Sequence, residues 1–159
     1  MDFASRINRC PLPVDTARAG GIAALYGDLP RPLRDLIAGA AGTRPFLAGL
    51  LERETDWLSG QLAAAPDPGI VRQATAGFEA LELEALGIGL RQARRRVALL
   101  TALADLGGVW PLEQVTTVLS DLADRATDLA LRAHVAHEIR RGKLPETAAD
   151  AGGIFALAM

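Results

Sequence analysis

The stretch that decides the fold is residues 111–141, PLEQVTTVLSDLADRATDLALRAHVAHEIRR. Its apolar side chains recur every three or four residues, at Val115, Leu119, Leu122, Ala126, Leu129 and Ala133. This spacing predicts an amphipathic α-helix with one apolar face, opened by Pro111 and ended near Arg140-Arg141-Gly142. Because such a face needs other helices to cover it, the stretch predicts a helical domain.

The rest of the chain repeats this pattern in shorter segments. A second apolar seam steps by three and four through Leu90, Ala93, Val97, Leu100 and Ala104. Proline or an N-capping residue opens further helices near Asp15, Pro32 and Pro45, and glycines end several of them. The fold class that we predict is mainly α, an irregular bundle of about five to seven helices.

The C-terminal residues carry a different signal. Gly152-Gly153 precede the apolar run Ile154-Phe155-Ala156-Leu157-Ala158-Met159, which predicts a strand buried on both faces. No other segment reads as a partner strand, so it would be an orphan, and we expect the chain to be cut from a longer protein. The predicted organisation is a loose lead-in at 1–13, a helical region at 14–142, and a loop with the first strand of a missing domain at 143–159.

Composition limits the function classes. Of 159 residues, 50% are hydrophobic and only 4% aromatic, and the formal net charge is −2, which gives no reason to expect nucleic acid as a partner. No apolar run is long enough to cross a bilayer, so we expect no membrane partner. The single cysteine, Cys10, cannot form an intrachain disulfide and fits a reducing cytoplasm.

Four arginines form the one candidate site. Arg91, Arg94, Arg95 and Arg96 lie beside the second seam and could dock phosphate, RNA or an acidic partner surface. The alternative is a solvated helix face whose charge Glu79, Glu82 and Glu84 offset. The sequence leaves both interpretations open.

Three other groups give weaker signals for chemistry. His134 and His137, followed by Glu138, could share a metal, and Asp121, Asp124 and Asp128 line one side of a helix. Neither set has the complete ligand pattern of a known helical metal site, and Cys10 has no nearby activating base. We therefore assign no catalytic, cofactor-binding or metal-binding residue.

Several motifs in order resemble the N-terminal region of the glutamine synthetase adenylyltransferase family. Residues 42–51, GTRPFLAGLL, resemble its S-P-[FY]-L-A-x-L-L helix, and residues 90–100, LRQARRRVALL, resemble its L-R-x-x-R-R-R helix. Residues 115–124, VTTVLSDLAD, resemble its L-S-x-L-A-D helix, and the tail 154–159 resembles the strand before its first nucleotidyltransferase motif.

This resemblance implies a nucleotidyltransferase that adds AMP to, and removes it from, a tyrosine of glutamine synthetase. It implies Mg²⁺ and ATP for the intact family, but no residue here matches a metal-binding aspartate, so we predict that this chain alone is inactive. The implied partners are the rest of the enzyme and glutamine synthetase or a nitrogen-regulatory protein. The alternative is a free-standing helical interaction module that docks through the Arg91–Arg96 cluster.

Overall fold

The structure is a computed structural model that describes residues 2–148 and 151–154. Within these residues the chain forms eight α-helices: α1 (Phe3–Arg6), α2 (Thr16–Ala24), α3 (Arg31–Thr43), α4 (Pro45–Arg53), α5 (Thr55–Leu62), α6 (Ile70–Ala74), α7 (Leu83–Leu106) and α8 (Leu112–Arg140). Short 3₁₀ turns lie at Phe78–Ala80, Glu146–Ala148 and Ala151–Gly153. The prediction of a mainly α fold is confirmed. The helices beyond the predicted number include α1 and α6, single turns too short to show a periodic pattern.

The two longest helices, α7 and α8, form an antiparallel hairpin on which the shorter helices pack. The corner between them needs Gly108, whose φ of 66° favours glycine. Four members of the predicted α7 seam are buried: Ala93, Val97, Leu100 and Ala104.

The apolar face of α8 is rotated from its predicted position. Val115, Leu122 and Leu129 are buried as expected, but Leu119 is 42% exposed. Val118, which the three-four pattern passed over, is buried in its place. Residues 118 and 119 differ by about 100° around the helix axis, so the contact with α7 decides which one faces the core.

The core lies between α3, α4, α5 and the half of the hairpin nearest its corner. Leu36 and Ile37 of α3 are fully buried there, as are Leu51 and Leu58 of the next two helices. Tyr26 closes one side, and its hydroxyl donates a 2.6 Å hydrogen bond to the Leu51 carbonyl. No helix among the described residues is long and apolar enough to cross a membrane.

The predicted orphan strand is not supported. Gly152 and Gly153, which were expected to precede it, lie in a 3₁₀ turn, and Ile154 is 61% exposed and outside any strand. No residue of 2–148 or 151–154 forms a strand. The remaining residues of the predicted strand, 155–159, lie outside the described residues. A glycine pair before an apolar run is equally compatible with a turn, and the local pattern cannot separate the two.

The predicted lead-in is held on the body at several points. Phe3 is fully buried in the core. Residues 8–15, which we call the strap, cross the hairpin corner and then the end of α3. A Cβ at Gly39 would lie 2.0 Å from the Pro11 carbonyl oxygen, so the strap fits there only because residue 39 is glycine. The strap is therefore firmly packed, whereas the domain boundaries at 13 and 143 stay a prediction.

Candidate docking surface

The four arginines of the candidate docking cluster lie on the middle turns of α7 and divide into two pairs. Arg95 and Arg96 are half-buried, whereas Arg91 and Arg94 are exposed. Arg94, Arg95 and Arg96 are consecutive and differ by about 100° each around the helix axis, so they cannot all face the same way, and the position of Glu54 decides which two form the inner pair. The structure therefore does not gather the cluster into one surface.

The inner pair binds a buried carboxylate. Nε of Arg95 lies 3.2 Å from Oε1 of Glu54, and Nε of Arg96 lies 2.8 Å from Oε2. The Glu54 side chain is only 4% exposed, so its charge has lost nearly all of its hydration and needs these two partners. This bridge fastens the α4–α5 junction to the middle of α7.

An aromatic ring also fixes the inner pair. The guanidinium carbon of Arg96 lies 5.2 Å from the centroid of the Trp57 ring, within the distance at which a cation and an aromatic face attract each other. Arg96 is thus engaged by Glu54 on one side and by Trp57 on the other. These contacts make Arg95 and Arg96 structural residues of the bundle.

The outer pair has no such partner. Arg91 and Arg94 form no ion pair within the described part of the chain. Their cationic groups stand in solvent beside the Glu54 bridge, whose two arginines and one carboxylate already leave an excess of positive charge. Together they give this side of α7 a local positive field that suits an acidic surface.

Two of the three glutamates that were expected to offset this charge bind arginines of α8 instead. Glu79 binds Arg125, and Glu82 accepts a 2.6 Å bond from Arg140. The pKa of Glu79 lies below its usual value because its own backbone N–H, and then Arg125, hydrogen-bond the carboxylate. Glu79 and Glu82 therefore do not pair with the arginines of the cluster, whereas Glu84 is exposed in the first turn of α7, so the offset of the cluster's charge by these glutamates stays a prediction.

Glu54 is the residue that sequence reasoning missed. It follows Leu51 by three residues and precedes Leu58 by four, so it occupies a core position of an apolar stripe. A carboxylate at such a position predicts a buried charge, and a buried charge needs a cationic partner. The arginine-rich helix was the obvious source of that partner.

The histidines of α8 lie apart from any ligand set. His134 is exposed, and Glu138 is engaged by Arg141 at 2.8 Å and by Lys143 at 3.5 Å. Across residues 2–148 and 151–154, no three His, Cys, Asp or Glu side chains come together as a metal site. These residues therefore do not fit the Mg²⁺ that the resemblance implied for the intact family.

The three aspartates of α8 line an open cleft of about 610 Å³ against the start of α6. The cleft also contains Arg72 and Arg125, and Asp128 accepts a 2.8 Å bond from Arg132. Cys10 lies on the strap, where partial burial and then the nearby Asp35 carboxylate raise the pKa of its thiol. A raised pKa makes the thiolate scarcer and the cysteine less reactive.

Comparison with known proteins identifies the family. The sequence profile of glutamate-ammonia ligase adenylyltransferase matches residues 35–159. The bifunctional glutamine synthetase adenylyltransferase/adenylyl-removing enzyme of Rhodopseudomonas palustris is 32% identical over 151 residues, 89% of this chain and 15% of that protein. The enzyme of the same name from Caulobacter vibrioides is 36% identical over 132 residues, 77% of this chain and 13% of that protein.

The match covers only a small part of each relative. A third such enzyme, from a Bradyrhizobium species, is 32% identical over 97% of this chain and 16% of its own length. No solved structure matches the chain significantly. The chain thus spans about 15% of the length of the curated relatives that it matches. On the match to residues 35–159 and these identities, the chain belongs to the glutamate-ammonia ligase adenylyltransferase family.

Proposed function

We propose that this chain supplies a non-catalytic helical part of an enzyme that adenylylates and deadenylylates glutamine synthetase. The relatives carry both activities in their names, and the match spans most of this chain. Mg²⁺ and ATP would be bound by regions of such an enzyme that lie outside the matched part. A cytoplasmic location, predicted from the single cysteine, remains part of this proposal.

The proposed role of the bundle is to support the rest of the enzyme and to dock an acidic partner surface. The Glu54 bridge fixes α4 and α5 against α7, which gives the exposed face of α7 a rigid backbone. Arg91 and Arg94 extend from that face without partners of their own, and they are the part of the predicted docking surface that is available. Their proposed partner is an acidic surface of the rest of the enzyme, of glutamine synthetase or of a nitrogen-regulatory protein.

A chimera tests this proposal. The matched 132 residues of the Caulobacter vibrioides relative would be replaced by this chain, and AMP transfer to glutamine synthetase and its removal would be measured. We expect the chimera to be active and the isolated chain to be inactive. A folded but inactive chimera, or AMP release by the isolated chain, would contradict the supporting role.

Charge reversal tests the docking face separately. In the chimera, Arg91→Glu with Arg94→Glu should lower both activities without lowering the melting temperature, because neither side chain has a partner inside the bundle. The matched control is Arg34→Glu with Arg53→Glu, two exposed arginines on other helices that form no ion pair within the described residues. Equal effects of the two double variants would contradict docking through α7.

The second candidate is a free-standing interaction module that docks through the same arginines. The same positive face favours it, since the face does not depend on a neighbouring catalytic domain. It predicts that the isolated chain binds intact glutamine synthetase or a nitrogen-regulatory protein, and that Arg91→Glu with Arg94→Glu abolishes the binding. Failure of the isolated chain to bind either protein in calorimetry would remove this candidate.

A further inference from the structure

The three most exposed large apolar side chains in the described part of the molecule lie on segments that meet at one place. Leu12 is 87% exposed, Val14 is 85% exposed and Phe46 is 72% exposed. The strap carries Leu12 and Val14, and the first turn of α4 carries Phe46. The Thr43 hydroxyl donates to the Leu12 carbonyl at 3.2 Å, so the strap runs beside the junction of α3 and α4.

The strap presents its two apolar side chains on a fixed backbone. Pro11 and Pro13 face inward, where they meet Gly39 and Gly42 so closely that a Cβ at either glycine would clash. Leu12, between the two prolines, and Val14, directly after them, are exposed instead. Apolar side chains held in solvent on an immobilised backbone are typical of an interaction site, since little conformational freedom is left to lose on binding.

The same prolines limit how a partner can bind. Neither Pro11 nor Pro13 has a backbone N–H, so the strap cannot pair with an added β-strand along its length. A partner must therefore contact this surface through side chains. An amphipathic helix, which offers a row of apolar side chains on one face, is the form that meets this requirement.

The local charge narrows the partner further. Arg44, between Thr43 and the start of α4, is exposed and forms no ion pair within the described residues. The one carboxylate of the strap, Asp15, lies 3.3 Å from Arg18 and also caps α2. Leu12, Val14, Arg44 and Phe46, which we call the corner patch, therefore carry a free cation and no free carboxylate.

A two-fold symmetric dimer would bring one corner patch against another, with no free carboxylate in the patch for Arg44. A partner with carboxylates at the edge of its apolar face would complement the patch instead. We propose that the corner patch docks an amphipathic helix of a partner protein whose apolar face is bordered by carboxylates. This goes beyond the proposed function, whose docking face is on α7.

Two synthetic peptides test the proposal. Both are amphipathic helices with the same leucine face, and this face is bordered by glutamates in one and by lysines in the other. Each is titrated into the isotope-labelled chain of 159 residues, and binding is followed by NMR. We expect the glutamate peptide to shift the amide resonances of residues 12–16 and 43–47. The lysine peptide should bind at least about threefold more weakly.

Variants of the patch sharpen the test. Phe46→Ser should weaken binding of the glutamate peptide about tenfold, and Arg44→Glu should reverse the preference between the peptides. The matched control is Leu112→Ser, at a side chain that is 69% exposed elsewhere. All three positions are exposed, so each variant should fold, and its melting temperature verifies this.

Three results would overturn the proposal. The first is equal binding of both peptides by the unaltered chain. The second is a set of shifted amides that lies away from the corner patch, or binding that Phe46→Ser leaves unchanged. The third is concentration-dependent self-association that Leu12→Ser abolishes, because a second copy would then be the occupant.

Discussion

The α7–α8 hairpin is stabilised differently in its two halves. The proximal half, residues 97–122, contributes Val97, Leu100 and Val118 to the continuous apolar core. The distal half, residues 83–92 and 125–140, has Leu86 and Leu129 buried outside that core.

Ion pairs bridge the distal half. They join Arg125 to Glu79 and Arg140 to Glu82, and the Arg140 and Glu82 side chains are 53% and 76% exposed. Apolar burial resists salt and exposed ion pairs do not, so the distal half should open first. One continuous helix can thus differ in stability along its length.

The largest effect should come from cavities on the two sides of this division. Leu100→Ala, in the proximal half, should lower the free energy of unfolding by about 4 kcal/mol, and Leu129→Ala in the distal half by about 2 kcal/mol. Both side chains are nearly fully buried, but Leu129 lies outside the continuous apolar core, so its surroundings can relax further around the lost volume. Urea denaturation measures the free energy of unfolding of both variants. Equal losses in the two variants would contradict the difference between the two halves.

The Glu54 bridge, which Arg95 and Arg96 form at the boundary between the two halves, is an ionic contact whose carboxylate is buried. Glu54→Gln keeps the shape but removes the charge that Arg95 and Arg96 need, so it should cost about 2 kcal/mol. Glu52→Gln, at an exposed position on α4, is the control and should cost less than about 0.5 kcal/mol. If 1 M salt removed the difference between these variants, the bridge would behave as an exposed pair.

Tyr26 is a direct probe of burial in the proximal core, because it is the only tyrosine in the chain. Burial raises the pKa of its hydroxyl to about 12 from an ordinary value of 10. The folded state therefore keeps this proton when the unfolded state releases it. The contribution to stability is complete below pH 10 and disappears as the pH rises towards about 12.

Ultraviolet titration of the phenolate measures this pKa. A Tyr26→Phe variant should lose the alkaline decline in stability and, with the Leu51 hydrogen bond gone, about 1 kcal/mol at neutral pH. A phenolate that appears near pH 10 in a protein still folded by circular dichroism would show that Tyr26 is not desolvated.

The smallest effect should come from the distal ion pairs. Arg140→Ala should cost between about 0.2 and 1 kcal/mol, and 1 M salt should remove the difference from the unaltered chain. Hydrogen exchange of amides in the last turns of α8 should quicken while exchange near Val118 is unchanged. Arg34→Ala, at an exposed arginine on α3, is the control. Equal protection from hydrogen exchange along all of α8 would contradict the difference in stability between the two halves of the hairpin.

Sequence patterns predicted the long helices better than the faces they bury. The α7 seam was correct at Ala93, Val97, Leu100 and Ala104, whereas on α8 the pattern chose Leu119 instead of Val118. Two adjacent apolar residues satisfy the same spacing, and only the position of α7 separates them. The prediction of a strand was not supported for a related reason, because a short apolar run does not indicate whether a partner strand exists.

The candidate site could be predicted only in part. The sequence identified Arg91, Arg94, Arg95 and Arg96 as a cluster, but not that two of them bind Glu54. That contact joins residues about forty positions apart, and no local pattern encodes it. The charge at a core position of the stripe around Glu54 was the available signal.

By itself the sequence determined the fold class, the long helices and the motifs of the family, because these depend on spacing within one segment. The tertiary structure alone decided which face of α8 is buried, which arginines stay free and where the strap lies. Each of these depends on two segments far apart in the chain. Pro11 fits over Gly39, and Glu54 lies between two arginines, only once the helices have packed. Periodicity fixes what a helix can bury, and packing fixes what it does bury.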